Sequence, residues 1–150
     1  LGIHLVDAAL WIAGFPPVRT VSSSLFAAGN PATSGEVEDF ALARIELEGD
    51  VLVQLACSWN LPAGRDAVIE AKLWGTGGGA AFRNVNGSFF DFVAERYRGT
   101  ETELLVEPPD RWGGRTVVAW VDRLRESPRF DPEAEQILQV AEILDAIYRG

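Results

Sequence analysis

The strongest constraint on the fold is an alternating stretch, residues 38–60, whose pattern suits a two-stranded antiparallel hairpin. Ala41, Ala43, Ile45 and Leu47 fall on one side of an extended chain, and Val51, Val53, Leu55, Cys57 and Trp59 answer them from the returning strand. Glu48-Gly49-Asp50 supplies the turn between them. The opposite side mixes Phe40, Leu42, Leu52 and Ala56 with Arg44, Glu46, Gln54 and Ser58. A sheet patterned this way covers one face with helices and keeps a second, half-apolar face, on which a further subunit is expected to pack.

The flanking segments supply those helices and further strands. Residues 3–13 are nearly continuous in apolar side chains, with Val6, Ala9, Leu10 and Ala13 at helical spacing, and Gly14 with Pro16-Pro17 ends the pattern. Residues 18–28 read as a strand followed by an exposed loop to Gly35. Strands are expected over 68–74, 80–85, 88–93 and 102–106, the first two joined by a tight turn at 75–79 and the next two by Asn86-Gly87. Two helices close the chain. The first, over 115–125, carries Val117, Val121 and Leu124 on one stripe; the second starts at the N-cap Asp131 with Pro132 in its first turn and buries Ile137, Val140, Ala141, Leu144, Ile147 and Tyr148. The expected class is α/β (α+β): an open-faced mixed, largely antiparallel sheet with helices packed on one face. The 150 residues are 47% hydrophobic, one domain's worth of chain with ample core.

Charge narrows the partners. Thirteen basic against 22 acidic residues give a net charge of -9, the wrong sign for neutralising phosphates, so neither nucleic acid nor an anionic membrane is an expected partner. The lone Cys57 cannot form an internal disulfide and reads as a buried structural thiol in a reducing, cytoplasmic compartment. The chain contains no Met and begins in mid-pattern on Leu1, so it is expected to be a piece of a longer protein.

Two constellations could carry chemistry. Gly75-Thr76-Gly77-Gly78-Gly79-Ala80 matches the G-x-G-x-x-G/A dinucleotide fingerprint after a strand, but that motif needs a helix to begin at once, and Ala81-Phe82-Arg83-Asn84 continues as strand. A hairpin turn is the expected role. The other constellation is His4, the single histidine, with Asp7 one helical turn away and Ala8 and Trp11 on the same face. From these residues alone His4 is a capping or packing residue, or a proton-transfer group.

The segment Leu1-Gly2-Ile3-His4-Leu5-Val6-Asp7, continuing through an apolar helix to Gly14, resembles the opening of the C-terminal domain of the Gfo/Idh/MocA oxidoreductases, where it reads roughly D-x-G-x-H-x-x-D. Gly2, His4, Asp7 and Gly14 match, and the first Asp of the motif would fall immediately before Leu1. Val37-Glu38-Asp39-Phe40, Leu73-Trp74-Gly75-Thr76-Gly77-Gly78 and the ending Ile143-Leu144-Asp145-Ala146-Ile147-Tyr148 are similar to the family in the same order.

The resemblance implies that residues 1–150 form the C-terminal substrate-binding and oligomerisation domain. It would follow a Rossmann domain that binds NAD or NADP and lies outside this chain. The implied activity is oxidation at a CH–OH group of a sugar, polyol or related compound. His4 would be catalytic, passing the hydroxyl proton on while hydride leaves the same carbon, and Asp7 would hold substrate or the helix start. The implied assembly is a homo-oligomer. The piece alone is expected to bind no dinucleotide or metal and to be inactive. A non-catalytic binding or scaffold module of the same fold is the rival.

Overall fold

The computed structural model describes residues 2–149; Leu1, the first residue of the opening motif, lies outside the described residues. In chain order the elements are α1 (Gly2–Ala13), β1 (Val18–Ala27), β2 (Asn30–Pro31), β3 (Phe40–Leu47), β4 (Val51–Ser58), β5 (Glu70–Gly75), β6 (Gly78–Asn84), β7 (Phe92–Arg98), β8 (Glu101–Val106), α2 (Arg115–Glu126) and α3 (Gln136–Arg149). They make an α+β fold with two antiparallel four-stranded sheets, ordered β2-β1-β3-β4 and β5-β6-β7-β8. Where composition alone suggests one domain, the chain divides into two compact units, residues 1–61 with 130–150 and residues 62–129.

The first unit is organised by the hairpin. Ala41 pairs with Cys57, Ala43 with Leu55, Ile45 with Val53 and Leu47 with Val51, the register that the alternation requires. Val6 and Leu10 from α1 and Val140, Ile143 and Ile147 from α3 close over Ala43, Ile45, Leu47 and Leu55. Burial of each large aliphatic side chain of this kind stabilises by about 1.5–3 kcal/mol. α1 stops in a Schellman motif: the Phe15 N–H donates to the Leu10 carbonyl at 2.8 Å and the Gly14 N–H to that of Trp11 at 3.2 Å, with Gly14 at φ 80°. This turn brings Phe15 back against the same core as Leu10. At the other end, Ser23 of β1 donates its hydroxyl to the Ile147 carbonyl at 2.6 Å, tying the sheet to the last turn of α3.

α3 departs in part from its expected stripe. Asp131 does cap, accepting the Glu133 N–H at 3.0 Å, but the first turn, Pro132–Glu135, is a 3-10 turn and α3 proper begins at Gln136. Val140 and Ile147 are buried as expected and Leu144 is half-buried, whereas Ile137, Ala141 and Tyr148 are exposed, and Ile143, outside the expected stripe, is buried in their place. Ile137 sits in the first turn, and Tyr148 follows Ile147 by about 100° of helical rotation, which carries its ring off the core.

The second unit is a meander with little interior of its own. Ala81, Asn84 and Gly87 are its buried residues, and β8 is exposed along its whole length. Stacked rings join neighbouring strands, Trp74 on Tyr97 at 6.0 Å and Phe82 on Phe92 at 4.7 Å between centroids. Asn84 carries the polar interior: it accepts the Ile69 N–H at 3.0 Å and donates to the carbonyls of Ala67 at 3.0 Å and Ser88 at 2.9 Å. α2 forms where its periodicity places it, yet none of its residues is buried.

Candidate functional site

The first unit contains a cleft of about 360 Å³ at the N-terminal end of α1. Its floor is apolar, with Val6, Leu25, Leu55 and Ile147, and its mouth carries Glu38, Asp39, Trp59 and Tyr148. The hairpin register builds half of that mouth. Because Phe40 pairs with Ser58, the residues just beyond the paired ends, Glu38 and Asp39 on one side and Trp59 on the other, emerge together. Tyr148 arrives from the end of α3, 110 residues further along the chain from Glu38.

Glu38 holds both aromatic rings. Its main-chain carbonyl accepts the Trp59 Nε1–H at 3.0 Å, and its Oε1 accepts the Tyr148 hydroxyl at 2.6 Å. Donation to the carboxylate raises the Tyr148 pKa above the ordinary phenol value, with burial adding to the shift. Both rings are nevertheless open to solvent, Trp59 at 68% and Tyr148 at 61%. Asp39 accepts the Ala28 N–H at 2.9 Å through Oδ2, while its carbonyl accepts the Ser58 hydroxyl at 2.7 Å. On the inner wall Cys57 is half-buried, and desolvation pushes its thiol pKa up, as suits a structural rather than a reactive sulfur.

The sequence-predicted residues His4 and Asp7 lie outside this cleft. Both are exposed on the outward face of α1, in a row with Ala8 and Trp11, the last of these 73% exposed. The same helix turns Gly2, Ile3 and Val6 into the cleft. Sequence reasoning placed Trp59 and Tyr148 among interior residues and missed the site they frame. The available signal was the hairpin register, which brings Glu38 and Trp59 to one end.

The glycine run is a hairpin, as its strand-like continuation requires. Gly75 pairs with Gly78 and β6 follows directly. A Cβ on Gly78, at φ 148°, would stand 2.6 Å from the Tyr97 carbonyl oxygen, and one on Gly79 would stand 2.9 Å from that of Leu73. The glycines therefore let three strands and the Trp74–Tyr97 stack approach closely. Among the described residues a strand, β6, and not a helix N-terminus, follows them, so the motif's pyrophosphate seat is not formed.

The profile of the GFO/IDH/MocA C-terminal domain matches residues 1–81. The chain belongs to the GFO/IDH/MocA family. It is 25% identical, over its full length, to the D-glucoside 3-dehydrogenase of Escherichia coli strain K12, and spans 45% of that protein. Among solved structures, the aldose-aldose oxidoreductase of Caulobacter crescentus, complexed with glycerol, is similar with a TM-score of 0.68 at 14% identity, over 99% of this chain and 44% of that one. GenD2 from gentamicin A biosynthesis, in complex with NAD, is similar with a TM-score of 0.51 at 20% identity, over 99% of this chain and 43% of that one. The two solved structures share the fold, and this GFO/IDH/MocA chain spans less than half of each of the three proteins. The nicotinamide cofactor that the family implies does not fit the glycine run, the one stretch here that carries its fingerprint.

Proposed function

We propose that this chain is the substrate-binding and oligomerisation half of an NAD(P)-dependent oxidoreductase that acts on a CH–OH group of a sugar, polyol or glycoside in the cytoplasm. The observation that carries this reading is the outward row His4, Asp7 and Trp11 on α1. A histidine at the family's motif position is presented on a rigid helix, next to a large exposed ring, where a second domain can close over it. In that role an imidazole nitrogen of His4 takes the proton from the substrate hydroxyl as the carbon is oxidised. Asp7, one turn along the same face, holds the substrate or the helix start. The hydride acceptor is held by polypeptide outside residues 1–150, in keeping with the 45% coverage of the glucoside dehydrogenase.

The second copy is proposed to pack on the open face of the first sheet. Leu42 and Leu52, 43% and 49% exposed, lie there beside the Arg44–Glu46 ion pair at 2.7 Å. Apolar groups and both signs of charge on one patch suit an isologous contact, in which each copy offers what the other needs. Among the described residues no helix is long and apolar enough to cross a membrane.

The test is a full-length enzyme carrying His4→Ala. Loss of a positioned proton-transfer group lowers kcat by about 10²–10⁴-fold, and cofactor affinity, measured by titration, is expected to stay within a factor of two or so of the parent. Wild-type turnover in the variant would remove His4 from the mechanism. An inactive parent would favour the scaffold reading.

A further inference from the structure

We propose that Asn86 is a site of spontaneous conversion to isoaspartate, and that the turn anchored by Asn84 holds the reaction back until residues 62–129 open.

Of the asparagines in the chain, Asn30, Asn60, Asn84 and Asn86, the last alone is followed by glycine. In this conversion the Gly87 main-chain nitrogen attacks the side-chain carbonyl carbon of Asn86. The new N–Cγ bond closes a five-membered imide, and the carboxamide nitrogen leaves as ammonia, carrying the Gly87 amide proton. Water then opens the imide at either carbonyl, giving Asp or an isoaspartate whose main chain runs through Cγ, with no oxidation or reduction. Glycine is the favoured follower because no Cβ shields its nitrogen. Asn30 precedes Pro31, which has no N–H to give up, and Asn60 and Asn84 precede Leu61 and the β-branched Val85. The Asn84 carboxamide is moreover tied into three hydrogen bonds, whereas Asn86 is exposed.

The local backbone decides when the attack can happen. Asn86 and Gly87, at φ 51° and 79°, are the central residues of a type I′ turn closed by the Ser88 N–H on the Val85 carbonyl at 2.9 Å. Such a turn holds the Asn86 ψ at about +30°, with Cβ and the Gly87 nitrogen on nearly opposite sides of the Cα–C bond. Ring closure needs them on the same side, as in a type II′ turn, where that ψ is about −120°. The positive φ is common to both turns, so a flip of the peptide between Asn86 and Gly87 separates the resting state from the reactive one. Three contacts oppose the flip. Asn84 Nδ2 donates to the carbonyls of Ser88 at 2.9 Å and Ala67 at 3.0 Å, and the Val85 N–H donates to the Asp91 carbonyl at 2.9 Å. Gly87 is buried against Arg65 and Asp66, so closely that a Cβ on it would stand 3.1 Å from the Arg65 Cβ and 3.2 Å from the Asp66 nitrogen. Isoaspartate would add a CH₂ to the main chain and a negative charge to the turn, drawing the Ser88 carbonyl away from Asn84. The modification thus makes permanent the opening that allowed it.

The experiment incubates the full-length protein at mildly alkaline pH and follows each asparagine by peptide-resolved mass spectrometry, with electron-transfer fragmentation to separate Asp from isoaspartate and a denatured sample as reference. Conversion is expected fastest at Asn86, and at least about tenfold slower in the native protein than in the denatured one. Asn84→Ala is expected to recover about tenfold or more of the lost rate. In the parent, urea below the unfolding transition is expected to raise the rate in step with hydrogen exchange of residues 67–98, which keeps the test decisive if Asn84→Ala does not fold. A native rate equal to the denatured one, a rate indifferent to urea or to Asn84→Ala in a folded chain, or conversion at Asn30, Asn60 or Asn84 ahead of Asn86 would each overturn the proposal.

Discussion

Replacing Asn84 by Ala tests whether the second unit is held by one polar side chain rather than by a core. The side chain is 9% exposed and makes three hydrogen bonds of 2.9–3.0 Å, to Ile69, Ala67 and Ser88. At about 1 kcal/mol net for each, the loss is about 3 kcal/mol. The half-buried carbonyls of Ala67 and Ser88 regain some water, which keeps the cost from rising much further. Hydrogen exchange resolved to peptides suits the question, because residues 62–129 form a compact unit of their own and are expected to open together. The amides of residues 67–98 are expected to lose about two orders of magnitude of protection, while those of α1, β3 and β4 keep theirs. Asn84→Asp adds a pH signature. Its carboxylate would face two carbonyl oxygens, so its folded pKa is raised above the unfolded value of about 3.9. The native state then binds more protons over that window, and the deficit of Asp relative to Asn grows as pH rises through it. A loss of protection below about fivefold (1 kcal/mol) in Asn84→Ala, or an Asp deficit that shrinks with rising pH, would refute the reasoning.

The glycine run offers a steric contrast: Gly79→Ala is expected to cost about 1–3 kcal/mol in thermal or urea unfolding because its Cβ would meet the Leu73 carbonyl at 2.9 Å, whereas Gly77→Ala, with nothing within 4 Å, should be near neutral. Equal effects would contradict the hairpin account. Both tyrosines donate to a glutamate, Tyr97 to Glu95 at 2.8 Å and Tyr148 to Glu38 at 2.6 Å, and both phenol pKa values are raised. The stabilisation from each bond is therefore present below the ordinary phenol pKa of about 10 and lost as pH rises through the raised value. Absorbance titration at about 295 nm should show no tyrosine ionising at or below the ordinary value, and Glu38→Gln should move one of the two downward; a phenol titrating normally in the folded parent would contradict the bond.

What was legible in the sequence was whatever depends on local period. The alternation at 38–60 sets the register by which Ala43 meets Leu55, because a slip of one residue would turn every core side chain outward. Gly14 and the prolines after it mark the end of α1 for an equally local reason. Tyr148 shows the limit: its helical spacing places it beside Ile147, but whether it faces core or cleft depends on Glu38, which no periodicity relates to it. α2 shows a second limit, since its stripe of Val117, Val121 and Leu124 specifies a face without specifying what covers it.

α1 carries this reasoning furthest. Val6 and Leu10, fully buried, hold the helix to the sheet, and on the same twelve residues His4, Asp7 and Trp11 point away from it. On the function proposed above, stability and chemistry fall on opposite faces of one helix. Substitutions at His4 are therefore expected to alter turnover without altering the fold, while substitutions at Leu10 would alter the fold first and displace His4 and the cleft together.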